Sequence, residues 1–288
     1  MAGSVGPGSD GPDTPEAPLR SAYRLGGDEF CRIVPLGEGD AESFIDRACA
    51  ALTEEGDGFE VGTSFGAVLL PNEASDPAHD LQLADERLYA QKHGRRIETD
   101  RMMDALLEAL SLREPDLPVH LDSVGSLAVE TGLALGLRRD VLDELVRAAQ
   151  LHDLGKLAVP DAILHKQGSL DEREWAFVRQ HPLVGERSLR ASPAFRNVAT
   201  IVRSTHERWD GGGYPDGLVG EEIPLAARII SVCDAFTAMT SQRAYRSALS
   251  EHEAIAELER FAGTQFDPTV VSVAVSLVRD RLRAGEAA

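Results

Sequence analysis

Apolar positions recur at helical spacing over most of this chain, and the period changes only in its first third. From Val119 to Leu135 the stripe is Val124, Leu127, Ala128 and Leu135, and Arg139 to His152 continues the pattern up to Gly155, read as a helix stop. Asp171 opens a helix towards Arg179, with Glu174 three residues on as a capping box. The same spacing predicts helices over Pro193–Thr205, Leu225–Met239, Ser250–Phe261 and Pro268–Arg283. Upstream, Pro77–His93 carries Leu81, Leu83, Ala84, Leu88 and Tyr89. Ile97–Leu112, with Met102, Met103, Leu106, Leu107 and Leu110, continues it until Pro115 and Pro118 break the pattern.

Nearer the start, Tyr23–Leu25 and Phe30–Val34 flank Gly26-Gly27-Asp28-Glu29, which reads as a β-hairpin. Ala41–Leu52 has helical spacing, and Phe59–Leu70 is β-rich. Residues 1–20, dominated by Gly, Pro, Ser, Asp and Ala, bury too little apolar surface to offset ordering, so they read as a disordered tail. Gly211–Pro224 is the one long insertion without helical spacing. The expected fold class is an α+β N-terminal piece followed by an all-α helical bundle.

Composition narrows the function. The 288 residues allow one large or two ordinary domains. A net charge of −19 argues against a duplex nucleic-acid binder, which needs a basic surface. It leaves room for a small anionic ligand, because bound cations and a few arginines reverse the field locally. Only Lys92, Lys156 and Lys166 are lysines. Cys31, Cys49 and Cys233 are scattered without CxxC spacing, as in a reducing compartment. No apolar run nears the ~18 residues of a membrane span, and no signal-peptide layout opens the chain. The expectation is a cytoplasmic protein without membrane contact.

The candidate chemistry gathers on His152-Asp153, with His120 upstream and His181, His206 and Asp234 downstream. Neutral imidazoles suit first-row transition metals and carboxylates bridge them. A His-Asp pair alone is weak evidence; the ordered set gives it weight. His79, His93, His165 and His252 have no motif context. Asp116, four residues before His120, reads as a helix cap or as a further carboxylate for metal. Cys233 reads as a core thiol, and Trp209 as packing for the loop.

Two family resemblances follow. Arg24-Leu25-Gly26-Gly27-Asp28-Glu29-Phe30, with Ala84-Asp85-Glu86-Arg87-Leu88-Tyr89 and Lys92-His93-Gly94-Arg95, resembles the second half of a GGDEF (diguanylate cyclase) domain. The resemblance implies nucleotide and metal roles for Gly26, Gly27, Asp28 and Glu29. The family's first half has no counterpart, so residues 21–97 are expected to be a truncated GGDEF-like domain without cyclase activity that packs or self-associates. Residues 98–116 are the expected connecting helix.

From about 117 to 284 the chain resembles the HD-GYP family of metal-dependent phosphohydrolases. The match rests on His120, His152-Asp153, His181-Pro182, His206-Glu207, Gly213-Tyr214-Pro215, Asp234, Arg243-Ala244-Tyr245-Arg246 and Phe266-Asp267-Pro268. The family hydrolyses cyclic di-GMP with iron or manganese. The resemblance implies one ion held by His120, His152, Asp153 and Asp234. Asp153 would bridge to a second ion on His181 and His206. It assigns the chemistry to Asp153 and Lys156, phosphate contacts to Lys156, Arg243 and Arg246, and the site wall to Gly213, Tyr214 and Pro215. Partners would be the cyclic dinucleotide, with GGDEF-domain proteins or a second copy beside it.

This chain departs from the family pattern at Thr205, in place of a usual histidine, and at Ser123, Thr237 and Ala244. These departures keep open a second reading, a signalling module that binds without hydrolysis. A third is a metal phosphohydrolase acting on another nucleotide.

Overall fold

The computed structural model describes residues 22–36, 40–56, 59–73, 76–114, 117–242 and 248–286. The tail expected over 1–20, together with Asp116, Arg243 and Arg246, lies outside the described residues.

The Gly-Gly turn folds as expected. Strands β1 (Ala22–Gly26) and β2 (Glu29–Arg32) pair antiparallel, with Tyr23 opposite Cys31 and Arg24 opposite Phe30. Helix α1 (Ala41–Leu52) starts at Asp40, whose carboxylate accepts the Ser43 N–H, yet it buries no side chain. The β-rich stretch is mostly not strand. β3 (Glu54–Gly56) pairs with β4 (Phe59–Val61), and residues 62–69 run without strand pairing. That segment lies along the next helix instead: the Phe65 N–H donates to the Gln91 side chain, and Arg87 donates to the Ala67 carbonyl. Extended backbone becomes sheet only where a neighbouring strand takes its hydrogen bonds.

Helix α2 (Pro77–Ser111) is one continuous rod of 35 residues, capped by the Asp76 carboxylate. It buries Thr99, Met103 and Leu110, all towards its C-terminal end. It stops before Pro115. Pro118, expected to break it, falls instead in the first turn of α3 (Leu117–Ala134), where a missing N–H is harmless.

The bundle follows: α4 (Arg139–Leu151), α5 (Asp161–Leu164), α6 (Glu172–Val178), α7 (His181–Leu189), α8 (Arg196–Arg203), α9 (Leu225–Thr240), α10 (Glu251–Arg260) and α11 (Pro268–Glu286). Short 3-10 turns cover Leu154–Ala158, Pro193–Phe195 and Gly220–Glu222. The expected capping box on α6 forms, with Asp171 and Glu174 exchanging bonds.

α9 is the axis. It buries Ala226, Ala227, Ile229, Ile230, Val232, Cys233, Phe236 and Thr237, so most of its sides face other helices. α3, α4, α10 and α11 pack around it, while α7 and α8 lie against one another and α8 lies against α4. Amphipathic spacing explains each partner: α4 turns in Leu142, Leu145, Ala148, Ala149 and Leu151, and α8 turns in Val198, Ala199, Ile201 and Val202. The end of α2 is tied to this body. Arg113 donates to the Leu157 and Val159 carbonyls and pairs with Asp161 at 2.7 Å.

Candidate metal centre

His152 and Asp153 sit where one helix type gives way to another. His152 caps α4, still in the helical region, and Asp153 adopts φ −96°, ψ 5° before the 3-10 turn. That sparsely allowed region often hosts site residues. Gly155 is not a left-handed helix stop, as the sequence suggested. It lies inside the 3-10 turn, where a Cβ would stand 1.8 Å from the His181 carbonyl oxygen. The missing side chain lets this turn press against α7, and that brings Asp153 to His181.

His181 opens α7. His206 follows α8 in the turn leading to the Gly-rich loop. His120 and Asp234 come from α3 and α9, and their side chains meet at 2.9 Å (Nε2 to Oδ1). Two triads result. His120, His152 and Asp234 form one, and Asp153, His181 and His206 form the other; within each, the candidate ligand atoms lie within 4.8 Å of one another.

Asp153 joins them. Its Oδ2 is 3.4 Å from His152 Nε2, and its Oδ1 is 3.5 Å from His181 Nε2. Lys156 Nζ donates to Oδ2 at 2.6 Å. All six expected metal residues and Lys156 are therefore brought together. The loop joins them through Tyr214, whose ring lies parallel to His206 at 5.2 Å, with 2° between the planes. The Tyr214 N–H donates to the His206 carbonyl, and a cis peptide bond leads on to Pro215. Gly213 runs so close to the His206–Glu207 turn that a Cβ would stand 2.3 Å from the Arg208 nitrogen.

The donor set fits cations. A carbonyl oxygen only accepts, so His152 Nδ1–H donates to the Ala149 carbonyl and His181 Nδ1–H to that of Val178, each at 2.7 Å. This fixes both rings with Nε2 turned into the site, as second-shell bonds do for metal-bound imidazoles. His181 Nε2 and His206 Nε2 stand 2.9 Å apart, converging on a common point. His152 Nε2 and Asp153 Oδ1 are buried without a hydrogen-bond partner among the described residues. Orphaned buried polar atoms are costly, and cations held by the two triads would satisfy one each.

Electrostatics agree. Burial works against the His152 imidazolium, but Asp153 and then Asp234 outweigh it and push the pKa up to about 9. In the metal-free chain a proton thus stands where a cation would. Burial, reinforced by His181, holds His206 down to about 3, and burial likewise keeps His181 low, so both are neutral donors. Burial opposes the Asp153 carboxylate, but Lys156 and His152 keep it well below the usual range.

Glu207 carries more than its motif suggested, and Arg203 was not singled out by the sequence at all. Glu207 is 3% exposed, and its carboxylate accepts the N–H groups of Asp216, Gly217 and Leu218. It clamps the loop beside His206. Arg203 braces the same loop, donating to Asp216 at 2.7 Å while also pairing with Glu186. The cue in the sequence was an acid just ahead of a Gly-rich loop full of N–H donors. Trp209 packs under Arg228, and Thr205 and Thr237 are buried. The Thr205 hydroxyl donates to the Val202 carbonyl, back into its own helix turn. His79, His93, His165 and His252 are exposed, and Cys233 is a buried thiol, as expected.

Comparison with known proteins agrees with this picture. The HD domain family model matches residues 101–270, and the GGDEF (diguanylate cyclase) model matches residues 20–98. α2 runs across the junction between the two matches. A cyclic di-GMP phosphodiesterase response regulator of Xanthomonas campestris pv. campestris is 38% identical over 199 residues, which are 68% of this chain and 52% of that protein. A cyclic di-GMP phosphodiesterase of Thermotoga maritima is 36% identical, covering 61% of this chain and 49% of its own. The chain spans about half the length of these curated relatives. Among solved structures, an HD-GYP-type protein of Bdellovibrio bacteriovorus aligns with a TM-score of 0.47 at 20% identity, covering 56% of this chain and 51% of that one. With 170 of its 288 residues matched, the chain belongs to the HD domain family, as a member of the HD-GYP type with a GGDEF segment ahead of the bundle.

Proposed function

We propose that this chain is a metal-dependent phosphodiesterase that hydrolyses a cyclic dinucleotide, with cyclic di-GMP as the first substrate, in second-messenger signalling. The observation that carries the reading is the meeting of two ligand triads across Asp153, with His152 Nε2 and Asp153 Oδ1 buried and, among the described residues, unpartnered. The curated relatives named as cyclic di-GMP phosphodiesterases support the substrate class.

Two ions suit two triads, and imidazole with carboxylate suits iron or manganese. His120, His152 and Asp234 would hold one ion, His181 and His206 the other, and Asp153 both. Such ions, when bound, polarise a phosphodiester oxygen and supply a water of lowered pKa.

The chain's own groups do the rest. Lys156 brings an ammonium to the triads through Asp153 and meets phosphate charge there. Arg243 and Arg246 add guanidinium contacts to phosphate. Gly213, Tyr214 and Pro215 form the wall. Burial holds the Tyr214 phenol above its ordinary pKa, so its hydroxyl stays a donor at neutral pH. Residues 21–97 act as a non-cyclase segment that contacts GGDEF-domain proteins or a second copy, with 98–116 as the link to the domain over 117–284. We place the protein in the cytoplasm; no helix among the described residues is long and apolar enough to cross a membrane.

The test is elemental analysis of protein purified with manganese or iron, alongside turnover of cyclic di-GMP. About two ions per chain and a linear or GMP product are expected, both lost in His152→Ala. Bound metal with no product from either metal overturns the hydrolase reading. It would favour the module that binds without hydrolysis, motivated by the Thr205 hydroxyl turned to Val202 and away from any ligand role. Thr205→His then raises metal content if the missing imidazole is the cause.

A further inference from the structure

A guanidinium stands beside the site with two aromatic rings near it and, among the described residues, no acid paired with it. Arg179 ends α6, two residues before His181. Its Cζ lies 6.0 Å from the centre of the Trp175 ring and 5.8 Å from that of Tyr214. Tyr214 in turn stacks on His206. Arg179 is therefore one ring away from a proposed metal ligand.

Among the described residues its side chain makes no hydrogen bond or ion pair, and it is exposed. That is telling in a chain with 48 acidic and 29 basic residues. Four other cations of the bundle are committed: Lys156 to Asp153, Arg203 to Asp216, Arg208 to Asp210 and Arg228 to Asp267. The rings restrict where the Arg179 head can go and favour its charge. They do not consume its in-plane N–H groups, which match a phosphate oxygen pair.

We propose that Arg179, set by Trp175 and Tyr214, is a substrate-binding residue: it takes the phosphodiester of a cyclic dinucleotide that is not under attack at the triads. The proposal rests on the phosphodiesterase reading above. A cyclic dinucleotide has two phosphodiesters, so a site that engages one must meet the charge of the other nearby. No bond is made or broken at Arg179. Its contact is present in the bound substrate and in the transition state alike, so it acts on KM more than on kcat.

The experiment compares cyclic di-GMP with bis(p-nitrophenyl) phosphate, which has a single phosphodiester, on the manganese-loaded full chain. Arg179→Ala raises KM for cyclic di-GMP about tenfold, the loss of one charged hydrogen bond. It leaves kcat, and kcat/KM for the one-phosphate substrate, within about twofold. Arg179→Lys, which keeps charge but loses the fork, falls between. An unchanged KM, or equal losses on both substrates, overturns the subsite while leaving the hydrolase standing. If the parent chain cleaves neither substrate, calorimetric binding of cyclic di-GMP decides. Binding about tenfold weaker in Arg179→Ala upholds the subsite without the hydrolase. Equal binding, or none, overturns it.

Discussion

The N-terminal segment and the bundle show the same kind of apolar patterning and opposite outcomes. In the hairpin, Tyr23, Leu25, Phe30 and Ile33 are exposed, and α1 buries nothing. Among the described residues before Thr99, leaving aside 54–61, no side chain is buried. In the bundle, Val124, Leu145, Val202, Ile229 and Val270 lie wholly inside. Apolar spacing states which face wants cover; only a second element supplies it. The ligand triads belong to the covered half. His152, Asp153 and His181 are nearly fully buried, at helix ends whose positions are set by that core. Burial where the imidazoles sit and exposure where the hairpin sits are two results of one packing rule.

The comparison can be broken most severely at Gly155. Gly155→Ala forces a methyl into the His181 carbonyl and separates the 3-10 turn from α7. The expected loss is at least about 3 kcal/mol of unfolding free energy, together with metal at the Asp153–His181–His206 triad. A thermal melt and metal analysis check it, and a variant with parental stability and metal content would refute the close-approach argument.

Leu145→Ala, at a wholly buried position on α4, is expected to lower stability by about 3 kcal/mol in denaturant titration. A loss below about 1 kcal/mol would mean the core relaxes far more than close packing allows.

pH sharpens the electrostatic side. Between about 3 and His206's ordinary 6.5, the unfolded chain binds more protons than the folded one, so stability rises with pH. Between 6.5 and about 9 the folded chain holds the extra proton, on His152, so stability falls. The melting temperature of metal-free protein should peak near pH 6.5. A flat profile across that range would contradict the buried pair of opposite shifts.

The smallest effect belongs to the hairpin. Phe30 is 67% exposed, so Phe30→Ala is expected to move stability by no more than about 0.5 kcal/mol. A loss near that of Leu145→Ala would show that the segment packs in solution and would erase the contrast.

Much of this was legible in order of residues. Helices α3, α4, α6, α8, α9, α10 and α11, the Asp171 capping box and the Gly26-Gly27 hairpin follow from local chemistry, and the structure has them, whereas the short α5 and α7 did not stand out in the apolar spacing. The six candidate ligands were recognisable through the ordered motifs that resemble the HD-GYP family, not through composition. Phe59–Leu70 was misread because a strand needs a partner that local sequence cannot name. Gly155 was misread because its reason, the His181 carbonyl, lies 26 positions away.

Sequence alone marked the longer helices of the bundle and the side chains with the chemistry to hold a cation. Only the tertiary structure decided that Asp153 turns one oxygen to each triad, that Glu207 clamps the loop, and that Arg179 has no acid partner among the described residues. The physical reason is range. Helical period and capping act over a few residues, whereas bridging, clamping and charge pairing depend on which distant groups the core holds within a few ångströms.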